Sequence, residues 1–68
     1  MKNESVRLGK NLKSIRTQRS ISQGDIAKTL GVARSFVSNI ENGKTTPTLA
    51  TITKIAKAIG VSTNELLK

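Results

Sequence analysis

The chain has 68 residues and a net charge of +8, from twelve basic and four acidic side chains, and it contains neither cysteine nor histidine. A chain of this length forms one small domain, near the lower size at which an apolar core suffices without cross-links, so oligomerisation is an expected supplement. The missing cysteine excludes a disulfide scaffold and a thiolate metal site, and the missing histidine removes the commonest remaining metal ligand and general base. We therefore expect no metal site, no cofactor and no catalytic residues.

The positive charge predicts a polyanionic partner. A membrane surface would require a basic amphipathic helix with aromatic side chains on its other face, and a single-stranded nucleic acid would require several aromatic rings for base stacking. The chain contains a single aromatic residue, Phe36. Duplex DNA is therefore the favoured partner, because its phosphates bind Lys, Arg, small polar side chains and helix N-termini.

No apolar run approaches the roughly 18 residues of a membrane span, and the N-terminal segment lacks the apolar core of a signal peptide. The expected location is the cytoplasm, in association with the nucleoid through bound DNA. The sequence shows no repeat, low-complexity tract or linker, so residues 1–68 are predicted to form a single domain.

The first predicted helix covers residues 6–19. Its apolar residues recur at helical spacing and form a buried stripe of Leu8, Leu12 and Ile15. The lysines that we expect in water are Lys2, Lys10 and Lys13. Glu4 is expected in a mobile N-terminus, and Arg16 lies at the edge of the apolar stripe.

Residues 22–42 predict two short helices joined by a tight turn at Gly31. Ser22 and Asp25 have the spacing of a capping box at the start of the first of them. Its buried residues at helical spacing are Ile26, Ala27 and Leu30. The second covers residues 34–41 and buries Val37 and Ile40. Glu41 falls only about 40° from Val37 on a helical wheel, inside the buried sector.

The side of residues 34–42 that faces away from the core is short, polar and uncharged. It consists of Ser35, Ser38, Asn39 and Asn42, with Phe36 on the opposite flank. A face that is merely solvated would normally carry Lys and Glu, whereas these side chains offer donors and acceptors suited to base edges in a major groove. The pattern therefore favours base contact over an ordinary solvated face.

Residues 43–47 combine Gly, polar residues and Pro, and predict a loop. A fourth helix over residues 48–59 ends at Gly60, and its predicted apolar stripe is Leu49, Ile52, Ile55, Ala56 and Ile59. A fifth helix begins at Ser62, with Glu65 at the spacing of a capping box. Leu66 and Leu67 are adjacent and point about 100° apart, so both cannot face one core.

Residues 16–67, RTQRSISQGDIAKTLGVARSFVSNIENGKTTPTLATITKIAKAIGVSTNELL, resemble the Cro/C1-type (XRE) helix-turn-helix family of bacterial and phage regulators. This family also covers restriction-modification controller proteins and some antitoxins. The resemblance implies a compact all-α domain of five helices, like that of lambda repressor, which binds a pseudo-palindromic operator as a homodimer. Ala33 departs from the family pattern, because Ser or Thr often stands at this expected N-cap, so one capping bond is predicted to be missing.

The resemblance and the pattern together suggest which residues contact DNA. The predicted base contacts are Arg34, Ser35, Asn39 and Phe36, of which Arg34 suits a guanine and Asn39 an adenine. For Phe36 the alternative to a thymine methyl is packing against a neighbouring helix or a partner subunit. The predicted phosphate contacts are Ser22, Gln23, Ser38, Asn42 and Lys44. The family further pairs residues at the positions of Arg16 and Glu41 in a partly buried salt bridge; the alternative is two unlinked surface charges.

The preferred interpretation is a homodimeric, sequence-specific regulator that represses transcription by occluding a promoter. The dimer is expected to use the fifth helix and the end of the fourth, at Ile59, Leu66 and Leu67. The alternative is an antitoxin that binds a toxin protein and autoregulates its operon, although the sequence shows no toxin-binding extension. A small basic nuclease is disfavoured, because no residue is placed to act as a general base or metal ligand.

Overall fold

The computed structural model describes residues 2–68, with side chains from residue 4 onward. Across that range five α-helices follow one another without a strand: α1 Lys2–Gln18, α2 Gln23–Leu30, α3 Arg34–Glu41, α4 Leu49–Ile59 and α5 Thr63–Leu67. The predicted all-α, five-helix fold is confirmed. The helix α1 packs against α3 and α5, α2 packs against α3 and α4, and α4 packs against α5.

The helix α1 begins at Lys2 rather than at residue 6. Glu4 therefore lies in the first turn of α1, where the positive end of the helix dipole favours a carboxylate, and not in a mobile terminus. The buried Ser5 hydroxyl is hydrogen-bonded to the hydroxyl of Thr46, which holds this extra turn against the loop before α4. Lys10 and Lys13 are exposed as expected, whereas the side chain of Lys2 lies outside the described residues.

The apolar core draws on all five helices. Its buried members are Leu8, Leu12, Ile26, Ala27, Val37, Ile40, Ile52, Ile55, Ala56, Ile59 and Leu66. Ile15 and Leu30 are partly buried at its edge. Leu49, which helical periodicity assigned to the buried stripe of α4, is 65% exposed, and that prediction was wrong. Leu49 has the angular position of the buried stripe, but it is the first residue of α4, and neighbouring helices do not cover that end of the helix.

The first four helices end in the same hydrogen-bonding pattern. After α1, the amide of Ile21 donates to the carbonyl of Arg16 at 3.0 Å, and the amide of Ser20 donates to that of Thr17 at 3.1 Å. This pair of bonds needs a residue in the left-handed conformation, usually glycine, just beyond the helix. The residues at the four positions are Ser20, Gly31, Gly43 and Gly60, with φ of 58°, 72°, 71° and 78°.

Helix starts match the sequence at two positions and differ at a third. Ser22 and Asp25 form the predicted capping box of α2, and Ala33 makes no side-chain cap for α3, as expected. The predicted capping box between Ser62 and Glu65 is absent, because the Ser62 side chain makes no capping bond. Glu65 instead pairs with Lys68, at 3.4 Å between Oε2 and Nζ, on the exposed side of this five-residue helix.

Gly9 allows α1 to lie directly against the end of α3. A Cβ atom at this position would lie 2.5 Å from the backbone carbonyl oxygens of both Ile40 and Glu41. The obstacle is backbone, which cannot move aside as a flexible side chain can. Any larger residue at this position would therefore push α1 and α3 apart.

We expect Gly9→Ala to lower the free energy of unfolding by about 1–3 kcal/mol, because the overpacking exceeds the helix-propensity gain of up to about 1 kcal/mol. Gly24→Ala is the matched control, since a Cβ there meets only the Ser22 Oγ at an ordinary 3.6 Å. This control is expected to be neutral or slightly stabilising. Urea unfolding followed by circular dichroism measures both variants, and a Gly9→Ala protein as stable as Gly24→Ala would contradict the close approach.

Candidate nucleic-acid interface

The helices α2 and α3 form a helix-turn-helix in which α3 presents a polar outer face. Gly31 reverses the chain after α2 with a φ of 72°, and the turn leads directly into α3. The inner face of α3 is buried at Val37, Ile40 and Glu41. On the outer side, the structure places the predicted base-contacting residues Arg34, Ser35 and Asn39 at exposed positions.

Phe36 differs from the other predicted base contacts. Its ring is partly buried and packs against the apolar core rather than being fully exposed. This packing agrees with the alternative named for Phe36, while contact of the remaining exposed part of the ring with a thymine methyl stays a prediction. The exposed polar residues of α3 are Arg34 and Ser35 in its first turn and Asn39 one turn further along.

The predicted phosphate-contacting residues flank this surface. Ser22, Asn42 and Lys44 are exposed, while Gln23 and Ser38 are partly exposed. The Ser22 Oγ accepts a hydrogen bond from the Asp25 amide at 2.9 Å, as the N-cap of α2. The Asn42 Nδ2 donates to the Ser38 Oγ at 3.4 Å, and the Lys44 amide donates to the Asn39 carbonyl, which orders the segment after α3.

The capping box of α2 also favours the ionised form of the Asp25 carboxyl. The Ser22 amide donates to the Asp25 Oδ2 at 3.0 Å, and this bond, followed by the Ser22 side-chain bond, lowers the pKa of the Asp25 carboxyl. A lowered pKa in the folded state stabilises the fold above the ordinary pKa, and this contribution is lost as the pH falls through the lowered value. The start of α2 is therefore most firmly capped near neutral pH.

Arg16 and Glu41 form a bidentate ion pair between α1 and the end of α3. The Arg16 Nε lies 2.6 Å from the Glu41 Oε2, and the Arg16 Nη2 lies 3.0 Å from the Glu41 Oε1. The side chains are 12% and 2% exposed, respectively. Hydrogen bonding to Glu41 raises the pKa of the Arg16 guanidinium above its ordinary value, although burial opposes this. The Arg16 Nη1 also donates to the Ile21 carbonyl at 2.9 Å, which ties the pair to the segment before α2.

A third side chain contacts this pair, and no sequence pattern indicates the contact. The Gln23 Nε2 donates to the Glu41 Oε1 at 2.9 Å. Gln23 is the first residue of α2 and Glu41 the last of α3, so the bond spans the helix-turn-helix. Helical periodicity could place each residue on its own helix, but it contains no information on which two side chains meet between helices.

The predicted dimer residues divide into buried and exposed. Ile59 and Leu66 are buried in the core of their own chain, so neither offers surface to a second subunit, and the prediction was wrong for both. The backbone of Leu66 is held as well, because its carbonyl accepts a hydrogen bond from the Asn11 Nδ2 at 2.8 Å. Leu67 is 43% exposed. It lines a surface groove with Glu4, Arg7, Leu8, Thr46 and Ile52.

The described part of the chain contains no cluster of three acidic, histidine or cysteine side chains able to hold a metal ion. None of its helices is long and apolar enough to cross a bilayer. These two findings apply to the described residues alone.

The fold and the outer face of α3 define a helix-turn-helix domain, and comparison with known proteins gives its family. The chain belongs to the Cro/C1-type helix-turn-helix family (HTH_3), whose sequence profile matches residues 12–66. It is 43% identical over 60 residues to the prophage-derived HTH-type transcriptional regulator YonR of Bacillus subtilis, a match that covers 88% of this chain and 56% of YonR. The chain thus spans little more than half the length of that relative.

Two further proteins are similar over nearly the whole chain. The ImmF control region 10 kDa protein of Bacillus phage phi105 is 37% identical over 63 residues, which cover 93% of this chain and 70% of that protein. The crystal structure of the restriction-modification controller protein C.AhdI from Aeromonas hydrophila superposes with a TM-score of 0.88 at 33% identity. That match covers 94% of this chain and 97% of C.AhdI.

The buried ion pair predicts a difference between single and double replacement. Arg16→Met should lower the free energy of unfolding by about 3 kcal/mol, because it leaves the Glu41 carboxylate buried without its cation. The double variant Arg16→Met/Glu41→Leu should lie within about 1 kcal/mol of wild type, since apolar residues of similar volume replace the whole pair. Urea unfolding measures both, and a double variant as unstable as the single one would show that the pair itself holds the fold.

Proposed function

We propose that this protein is a sequence-specific regulator that binds duplex DNA through α3 and represses transcription by occluding a promoter. The observation that carries the proposal is the exposed polar face of α3, at Arg34, Ser35 and Asn39, on a helix whose other side is buried. An α-helix fits the major groove, where such donors and acceptors distinguish base pairs. The relatives support this function, because they are named as a transcriptional regulator, a phage control-region protein and a restriction-modification controller.

Specificity and affinity are assigned to different residues. Arg34, in the first turn of α3, suits a bidentate contact to a guanine, and Asn39 suits an adenine or a bridge to the backbone. Ser22 and Gln23, at the start of α2, and Asn42 and Lys44, after α3, flank this face and suit phosphate oxygens. Phosphate contacts would set the position of α3, and base contacts would select the sequence.

A homodimer is the proposed binding form, with Leu67 at its centre. Leu67 is 43% exposed and lines a groove whose other apolar residues are Leu8 and Ile52 and whose polar residues are Glu4, Arg7 and Thr46. An exposed leucine at an apolar groove is favourable to cover, and the two charged residues can pair with their counterparts across a two-fold axis. A two-fold axis through this surface would suit a pseudo-palindromic operator if it presented the two copies of α3 about 34 Å apart, one turn of DNA.

Replacing one base contact and one phosphate contact tests the assignment of roles. Selection from random DNA first yields the preferred duplex of the wild-type protein, and a palindrome is expected. Arg34→Ala should then relax the preference at one position of each half-site, at a cost of about 1–3 kcal/mol against the preferred base. Lys44→Ala should weaken binding to preferred and random duplexes alike. Equal losses on both duplexes for both variants would remove α3 from the role of selecting the sequence.

Sedimentation of a Leu67→Glu variant tests the dimer surface. A charged residue at the centre of an apolar interface should weaken self-association by about 30-fold or more, while an exposed site leaves folding almost unaffected. Val32→Glu is the matched control, because Val32 is similarly exposed, at 37%, in the turn between α2 and α3. A Leu67→Glu protein that stays dimeric, or a wild-type protein that is monomeric at high micromolar concentration, would contradict the proposed surface.

A further inference from the structure

We propose that Glu41 is a positioning residue for DNA binding: it holds the Gln23 side-chain amide in the orientation that a backbone phosphate requires. The inference rests on the proposed function, because the phosphate belongs to bound duplex DNA. Its basis is the shared oxygen at the centre of the helix-turn-helix. The Glu41 Oε1 accepts from the Arg16 Nη2 at 3.0 Å and from the Gln23 Nε2 at 2.9 Å.

The chemistry of the carboxylate decides which way the amide lies. An ionised carboxylate only accepts hydrogen bonds, whereas a primary amide has a carbonyl acceptor and two N–H donors on one nitrogen. The amide nitrogen of Gln23 must therefore face Glu41, since the flipped amide would set two oxygens against each other. One N–H is then used by Glu41, and the second diverges from it because the two hydrogens of a planar amide nitrogen point apart. A phosphate oxygen, which also only accepts, matches that second N–H.

The position of Gln23 fits this role. It is the first residue of α2 and remains partly exposed, although its nitrogen is bound to a buried partner. The first amides of a helix have no partner within the helix, so they can donate to the same anion. A free glutamine side chain would lose rotamer freedom on binding, and an amide that Glu41 already orders has less to lose.

Arg16 makes the arrangement electrostatically acceptable. A lone carboxylate near a phosphate would repel it, but both oxygens of Glu41 accept from the Arg16 guanidinium, at 2.6 Å and 3.0 Å. The cation offsets the carboxylate charge and leaves its hydrogen-bonding geometry in place. The ion pair is therefore nearly neutral, so it can orient the Gln23 amide without placing a net negative charge beside the DNA.

A thermodynamic cycle in DNA binding tests the inference. Four proteins are compared: wild type, Gln23→Ala, Arg16→Met/Glu41→Leu, and the triple variant that combines these changes. The probe is the duplex selected from random DNA by the wild-type protein, both unmodified and with single methylphosphonates placed at successive positions in both half-sites. Urea unfolding of each protein verifies that it is folded under the binding conditions.

We expect Gln23→Ala to weaken binding about 10-fold per half-site, the scale of one hydrogen bond to a charged group. Replacement of the ion pair should cost a similar factor, and the triple variant should bind no more weakly than the ion-pair variant. One methylphosphonate position should weaken wild-type binding clearly more than it weakens binding by the other three proteins, which retain only the backbone contacts to that phosphate. A residue that serves only the fold would not reduce the response to one particular phosphate.

Other results overturn the inference. Losses that multiply in the triple variant would show that Glu41 does not act through Gln23, and tighter binding after ion-pair replacement would show that Glu41 restrains Gln23 instead. If the ion-pair variant fails to fold, Glu41→Gln replaces it, because this change keeps the side-chain size but removes the charge that orients the amide. In the otherwise wild-type protein, Glu41→Gln should weaken DNA binding about 3-fold per half-site, and in the Gln23→Ala protein it should have no effect. Equal effects of Glu41→Gln in both proteins would again overturn the inference.

The cycle also separates this inference from the function on which it rests. A wild-type protein that selects no duplex overturns the proposed function and, with it, the role of Glu41. A wild-type protein that selects a duplex but shows multiplicative losses overturns the role of Glu41 alone.

Discussion

The contact between Arg16 and Glu41 joins three parts of the chain through two side chains. Arg16 comes from the last turn of α1 and Glu41 from the end of α3, and the guanidinium also binds the Ile21 carbonyl before α2. A carboxylate at a helix C-terminus faces the negative end of the helix dipole, which is unfavourable, and burial adds a desolvation cost. The bidentate cation compensates both. The orientation of α3 relative to α1 therefore depends on a polar contact that is stable only while all of its members are in place.

Gly9 provides the close packing that the ion pair needs. At this glycine α1 lies against the last carbonyls of α3. Arg16 lies two turns further along α1, and this close packing brings its guanidinium within hydrogen-bonding distance of the Glu41 carboxylate. Other polar contacts hold α1 to the rest of the domain: Ser5 bonds to Thr46, and Asn11 bonds to the Leu66 carbonyl. A small domain has limited apolar area to bury, so polar contacts of this kind fix helix positions that the core alone leaves free.

The sequence predicted the features that depend on local patterns and failed where burial depends on distant neighbours. Periodicity and end signals gave α2 and α3 almost to the residue, and Gly31 and Gly60 marked two helix ends. Leu49 was misplaced because a helical wheel gives an angle around the axis and not the length over which other helices cover it. Ser20 ends α1 in a conformation that favours glycine, so its residue type carried no signal.

The candidate site shows the same division. The exposed side of α3 followed from periodicity, and the ion pair followed from the family resemblance rather than from the pattern itself. The burial of Phe36 and the bond from Gln23 to Glu41 depend on how two helices meet, and neither has a signature in one sequence. Which of Leu66 and Leu67 is buried depends on how α5 packs against α1, and the sequence of two adjacent leucines does not indicate it.

The distribution of charge complements the polar face of α3 under the proposed function. Most of the exposed cations in the described part of the chain lie on other helices: Arg7, Lys10, Lys13, Lys28, Lys54 and Lys57. Cations spread over the surface raise the positive potential of the whole domain, which favours approach to any DNA and depends strongly on salt, but they cannot distinguish bases. Discrimination then falls to the few polar side chains of α3, the helix that the Arg16–Glu41 contact joins to α1. A buried ion pair that adds little net stability can be retained, under the proposed function, because it orders the Gln23 amide at the start of α2.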